Sequence, residues 1–290
     1  VMDRVSDLRS DARQITVYAI PNIPIRAGIF TLGYTYAQAR AQQRGFDGSA
    51  GTDPRAVEWA PLAFMPLHQF VLQAEEVLFG GKVVLTASGR AISGLRYTPT
   101  VAGDVNGDGV SGDRAFIFDP ARTTDPAVAQ GLQNLMSHGS GSARACLKSQ
   151  VNRIAGRNSC VGPWSATMNA SIFMPSVPGT SYRVQILLKF ANPLGGLDQL
   201  LHGSNNLHGW GSAQILDGTL YQVRAFDPTV QRFMYEVNPR FGNSNPAFNT
   251  LRAPFRVTLD VRIDYGHSPV EQAVELNLRI KPPLVGTQAT

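Results

Sequence analysis

Phe255-Arg256-Val257-Thr258-Leu259-Asp260-Val261-Arg262-Ile263-Asp264-Tyr265 alternates apolar and polar side chains through eleven positions without an error. An extended chain sends successive side chains to opposite faces, so this stretch reads as a β-strand with one apolar and one charged face. Working outward, Tyr182, Val184, Ile186, Leu188 and Phe190 alternate with Arg183, Gln185, Leu187 and Lys189, and Phe30, Leu32, Tyr34 and Tyr36 alternate with Thr31, Gly33 and Thr35. Less regular runs of the same kind occupy residues 12–20, 66–79, 82–97, 165–174, 219–226 and 231–241. The expectation is therefore an all-β chain of about nine strands.

The connections between these strands take turns in length. Short ones lie at Pro21–Ile25, Gly80–Gly81, Pro175–Thr180 and Asp227–Val230; long ones lie at 41–65, 98–164, 193–218 and, less extended, 242–252. In an up-and-down antiparallel arrangement every other connection lies at the same end, so one rim would carry tight turns and the other large loops. Transmembrane β-barrels have this asymmetry, with short periplasmic turns and long external loops. The fold expected is an up-and-down antiparallel transmembrane β-barrel, present as an incomplete segment over residues 1–266 and followed by a periplasmic tail at 267–290. A barrel cannot leave strand edges open to lipid, so the remaining strands are expected to precede Val1.

Composition bounds the alternatives. The chain has 290 residues, of which 16% are charged, and 28 glycines with 19 prolines punctuate it. That argues against a disordered or coiled-coil protein. No apolar run approaches the ~18 residues of a spanning helix. The formal charge of +5 is spread along the chain, which disfavours a nucleic-acid partner. No charged and then apolar leader opens the sequence, so any export signal is expected upstream. Cys146 and Cys160 are too few for a zinc site of four sulfurs, and a single loop-closing disulfide is their expected use.

Asp104, Asn106 and Asp108 recur at every second position before Gly109, as in the first half of a calcium loop. The second half departs from that pattern. Its twelfth position is Ala115, and the nearest carboxylate is Asp113 at the tenth. Asx and Gly residues also make ordinary turns, so a plain turn is the favoured use and a calcium site the other. The histidines at 68, 138, 202, 208 and 267 form no metal-binding pair of known spacing, and no nucleophile elbow, P-loop or dinucleotide-binding glycine pattern is present. Glu75 and Glu76 would point to opposite faces of a strand and cannot share a proton-transfer task. Catalysis is not expected. Tyr34, Tyr36, Phe64, Phe79, Trp164 and Tyr265 suit interfacial aromatic girdles, though a soluble β-protein packs its core with the same types. Two helical segments are expected within the loops, at Pro126–Ser137 and Leu197–Leu201.

Three stretches carry a resemblance: Tyr97-Thr-Pro-Thr-Val-Ala-Gly-Asp-Val-Asn-Gly-Asp-Gly109 with Asp113-Arg-Ala-Phe116, Gly156-Arg-Asn-Ser-Cys-Val-Gly-Pro-Trp164, and Phe255 to Gly266. Together they resemble the C-terminal barrel half of TonB-dependent outer-membrane receptors, most closely those with an N-terminal carboxypeptidase-regulatory-like domain. The resemblance implies a 22-stranded barrel in the bacterial outer membrane, filled by a plug and coupled through TonB to the inner membrane. Such receptors often end on an aromatic residue of the last strand, whereas this chain continues past Tyr265. The partners implied are outer-membrane lipid, the plug and earlier strands of the same polypeptide, TonB, and a small nutrient ligand such as a glycan, peptide, siderophore or vitamin complex. Ligand-binding residues are expected in the loops at 41–65, 98–164 and 193–218. A secreted β-sandwich binding module, recognising carbohydrate with the help of calcium, is the alternative.

Overall fold

The structure, a computed structural model, describes residues 7–21, 28–44, 55–177, 183–204, 207–212, 215–244 and 255–264. In chain order its strands are β1 (Ser10–Ala19), β2 (Gly28–Gln43), β3 (Glu58–Pro61), β4 (His68–Leu78), β5 (Val83–Ile92), β6 (Arg96–Tyr97), β7 (Thr100–Ala102), β8 (Phe116–Ile117), β9 (Arg153–Ile154), β10 (Cys160–Val161), β11 (Ser165–Met174), β12 (Arg183–Ala191), β13 (Thr219–Asp227), β14 (Arg232–Val237) and β15 (Arg256–Asp264). The helices are α1 (Pro126–His138), α2 (Gly141–Ser149) and α3 (Pro193–His202).

Most of the chain is antiparallel β-structure dominated by one sheet, ordered β1-β2-β4-β5-β11-β12-β15, with β3 paired to the end of β2. Every pairing in this sheet is antiparallel. The sheet does not close on itself, and β1 and β15 are its edges.

The expectation of nine strands in sequence along this sheet is corrected. The segments at 219–226 and 231–241 form the β13–β14 hairpin, which joins β7 in a separate sheet, and β12 pairs directly with β15. The reason is visible in burial. Leu220 and Tyr221 are adjacent and both fully buried, so β13 lacks the two unlike faces of the main strands and is enclosed instead by the core around it. The Asp227–Val230 turn thus belongs to that hairpin, and the main-sheet connections sort more cleanly without it. Residues 20–27, 79–82 and 175–182 link strands at one end; residues 44–67, 93–164 and 192–255 link them at the other. Tyr265, His267 and the segment 267–290 lie outside the described residues.

Register aligns the main sheet into two unlike faces. One carries Ile15 and Val17, Phe30 and Leu32, Phe70 and Leu72, Leu85 and Ala87, Ala170 and Ile172, Ile186 and Leu188, then Leu259 and Val261. Seven strands supply it, and Leu32, Leu72 and Gly89 are successive partners across three of them. On β11 it runs from Ala166 to Met174, about 27 Å at the usual strand rise. Glu76 is its acidic exception, one pair from the short-turn end, with its side chain lying over Gly28.

The opposite face is mixed: it carries Gln14, Thr16, Gln73, Thr86, Ser88, Arg90, Asn169, Ser171, Gln185, Lys189, Thr258 and Asp260, with Tyr18, Ile29, Val71, Val77, Val84, Phe173 and Leu187 among them. Thr16 meets Thr35 at 3.1 Å, Thr86 meets Ser171 at 2.7 Å, Arg90 donates to Gln69 at 2.7 Å, and Lys189 pairs with Asp260 at 2.7 Å. The apolar face stands uncovered, with Ile15 67% exposed, Leu259 61% and Val261 52%, and the opposite face is open as well, with Tyr18 and Ile29 exposed on it. At the long-connection margin of the apolar face Tyr34, His68, Phe70 and Trp164 stack in a row, with Tyr34 Oη 2.9 Å from His68 Nδ1. Beyond them the same face turns charged, and Arg40 pairs with Asp11 at 3.3 Å while lying over the Trp59 ring.

Candidate functional site

The long connections do not hang as separate loops: their described residues between 97 and 160 and between 220 and 241 share one core at their end of the sheet. The core of this body gathers Val101, Ala115, Ile117, Val128, Leu132, Leu147, Leu220, Tyr221 and Phe241, all buried. Asp125 starts α1 by accepting from the backbone N–H groups of Ala127 and Val128, and Pro126 fits the first helical position. Val128, Leu132 and Leu135 then turn one stripe of that helix into the core. Cys146 on α2 and Cys160 on β10 are joined in a disulfide with Cα atoms 5.3 Å apart. Burial pushes the Tyr97 and Tyr221 phenols well above their usual range, and Tyr235 is raised by burial and then by the Asp113 charge.

The two central motifs touch each other. Tyr97 pairs with Cys160, Thr98 Oγ1 donates to Asn158 Oδ1 at 3.2 Å, and the Asn158 N–H donates back to Thr98 Oγ1 at 2.8 Å. Arg157 donates to Gln43 and to the Ala41 and Glu58 carbonyls, and Asn158 Nδ2 donates to the Pro61 carbonyl at 2.7 Å. This Arg-Asn pair therefore fastens the body to the β2–β3 rim. Arg114 adds a second bridge, its Nη2 lying 2.9 Å from Glu58 Oε2.

The Asp104 loop is a nest of side-chain-to-backbone bonds. Asp104 accepts from the N–H groups of Gly107, Asp108 and Gly109 at 2.7, 3.2 and 2.8 Å. Asp113 is buried and accepts from Val105 N, Asn106 N and Asn106 Nδ2 at 2.7, 3.2 and 2.8 Å. The structure thus brings Asn106 against both Asp108 and Asp113, whereas Asp104 caps the turn at 107–109. Ala115, at the twelfth position, is fully buried in the body's core, so the chain has already turned inward where a calcium loop would present its last carboxylate. Among the described residues, no three His, Cys, Asp or Glu side chains converge on a point that would hold a metal ion.

Where this body meets β11 a cavity of about 1070 Å³ opens, with Trp164, Trp210, His138, His208, Asn134 and Glu236 among its walls. Aromatic faces beside amide, imidazole and carboxylate groups can hold a ligand by stacking and by directed hydrogen bonds. Trp164 and His208 lie in segments already expected to be external, but Glu236 was expected in a barrel strand. Its signal was the missing alternation around Leu220-Tyr221. Next to the cavity, His202 stacks on His208 with ring centroids 3.7 Å apart, and His202 Nδ1 lies 2.8 Å from Asp198 Oδ1. Glu75 and Glu76 stand on opposite faces of β4. Comparisons of the chain with protein-family models, with curated proteins and with solved structures found no match.

Proposed function

We propose that this chain is part of the wall of a bacterial outer-membrane β-barrel receptor, of the TonB-dependent kind its motifs resemble. The observation that carries this reading is the apolar face, continuous over seven strands and covered by no second sheet among the described residues. Its height matches the ~25 Å apolar band of such barrels, and six of its seven strands have the 9–11 residues that a tilted span needs, β2 running on to 16. Tyr34, Phe70 and Trp164 at its margin support an interfacial girdle, and Arg40 with Asp11 beyond them supports a wetted rim. The polar face would line the lumen, where Arg90, Lys189 and Asp260 meet water and a plug. The edges of β1 and β15 would pair with further strands of the same polypeptide, because unpaired backbone groups cannot face lipid.

In this reading the body at the long-connection end lies outside the cell and captures a scarce nutrient, with the cavity between Trp164 and Trp210 as its entry point. TonB, acting through a plug, would then open the way inward. In this reading the activity is transport, in which no bond is made or broken. The test is purification of the polypeptide that carries this chain. The account expects it in outer-membrane fractions and soluble only with detergent, since uncovered strand edges and an apolar outer face both promote association. A monodisperse, cooperatively unfolding monomer without detergent would contradict it and favour a secreted binding module.

A further inference from the structure

We infer that α3 is an interfacial helix that lays its leucines into the outer leaflet beside the barrel wall. The inference rests on the membrane reading above but adds a surface that reading does not include. Helix α3 is amphipathic the wrong way round for water. Asp198 on its inner side is 0% exposed, whereas Leu200 on its outer side is 81% exposed, with Leu197 and Leu201 also exposed beside it.

The polar inner side is fully committed to the protein. Asp198 accepts from His208 N at 3.1 Å, from Trp210 N at 3.0 Å, and contacts His202 Nδ1 at 2.8 Å. Asn192, in a left-handed conformation at φ 51°, caps the first turn by accepting from Gly195 N at 3.1 Å. These bonds fix the helix's rotation, so the leucines cannot turn inward without stripping a buried carboxylate of its donors. The exposed leucine face is imposed by the fold and needs an apolar partner outside it.

Position names that partner. Gly196 lies directly against the Phe255 side chain, where an added Cβ would stand 2.7 Å from the Phe255 Cβ. Phe255 immediately precedes β15, two positions before Val257, where the apolar set Val257, Leu259 and Val261 begins. The leucine surface therefore continues the apolar band at its outer margin. A helix of this kind, held by its polar side and apolar outward, sits about 5–10 Å into the boundary between headgroups and acyl chains.

The experiment uses the whole polypeptide reconstituted in phosphatidylcholine vesicles, with a fluorophore on single cysteines introduced by Leu200→Cys, Leu259→Cys or Ala121→Cys. Leu201→Cys serves as a second helix position. Nitroxide lipids quench from headgroup depth or from chain-end depth, and iodide quenches from water. The helix labels should be quenched by the headgroup-depth nitroxide and protected from iodide. The label at 259 should respond to the deeper nitroxide, and the label at 121 to iodide alone. Iodide quenching at 200 and 201 equal to that at 121 would overturn the inference, as would protection from every quencher, which means that protein covers the helix. In both cases lipid quenching at 259 leaves the barrel reading standing. Loss of lipid quenching at 259 would overturn the barrel reading itself.

Discussion

Gly94 and Gly162 meet where the sheet hands over to the body at its long-connection end, and a Cβ on Gly94 would fall onto the Gly162 carbonyl. Backbone cannot rotate away as a side chain can, so Gly94→Ala should destabilise the body by about 1–3 kcal/mol, as overpacking does. Gly141→Ala, at a helical position with open space, should leave it unchanged. Thermal unfolding in detergent compares the two. The Asp104 loop raises a different question at this scale. Its carboxylates accept from the loop's own N–H groups, which a turn alone requires, yet Asp104, Asp108 and Asp113 retain further lone pairs that calcium could use. Calorimetric titration of the whole polypeptide with calcium, before and after Asp104→Ala and Asp108→Ala, decides the matter. A plain turn gives no calcium-dependent heat in either protein, and a calcium site gives heat that the substitutions abolish. Much of this scale was legible from sequence, since a regularly spaced Asp-Asn-Asp before glycine marks a turn whatever it binds. That Asn158 would bond Thr98 was not legible, because nothing in a linear sequence says that residues sixty positions apart will meet.

Elements divide by how sharply their side chains alternate. For β15 and β12, the alternation predicted the strands, and their register puts the alternating sets on opposite faces, with Leu187 the exception on the polar side of β12. The pattern failed for β13, whose composition suits a strand but whose surroundings are core on both sides near Leu220 and Tyr221. The long helix α1 was readable from Val128, Leu132 and Leu135, whereas α2 was not, because its Gly, Ser and Arg content hides a stripe of only Ala143, Cys146 and Leu147. A consequence at this scale concerns β15. Leu259→Arg should cost about 2–4 kcal/mol if that position stands at the bilayer midplane, while Thr258→Arg on the polar face should be mild. Unfolding from lipid vesicles measures the difference. The disulfide between α2 and β10 closes a loop of 14 residues' separation, and losing it through paired Cys146→Ser and Cys160→Ser changes should cost roughly 3 kcal/mol. Because it lies within the body at the long-connection end, the loss should appear as early melting of that body, with the main sheet's signal retained.

In the molecule as a whole, asymmetry runs in two directions. Across the sheet, one face is apolar over all seven strands while the other is richer in polar side chains that hydrogen-bond between strands. Along the sheet, tight links gather at one end and a disulfide-braced body with its own core gathers at the other. A water-soluble sandwich would bury the first asymmetry and has no use for the second, whereas a membrane wall needs both. The measurement that tests this most directly is a nitroxide scan of consecutive positions from Arg256 to Asp264, with the whole polypeptide in lipid vesicles and collisions counted with oxygen and with a water-soluble nickel chelate. The account predicts a period of two, with positions 257, 259, 261 and 263 meeting oxygen in lipid and positions 258, 260 and 262 meeting the chelate. Equal access of the chelate to both sets, or a reversed phase with the apolar positions shielded from lipid, would contradict it.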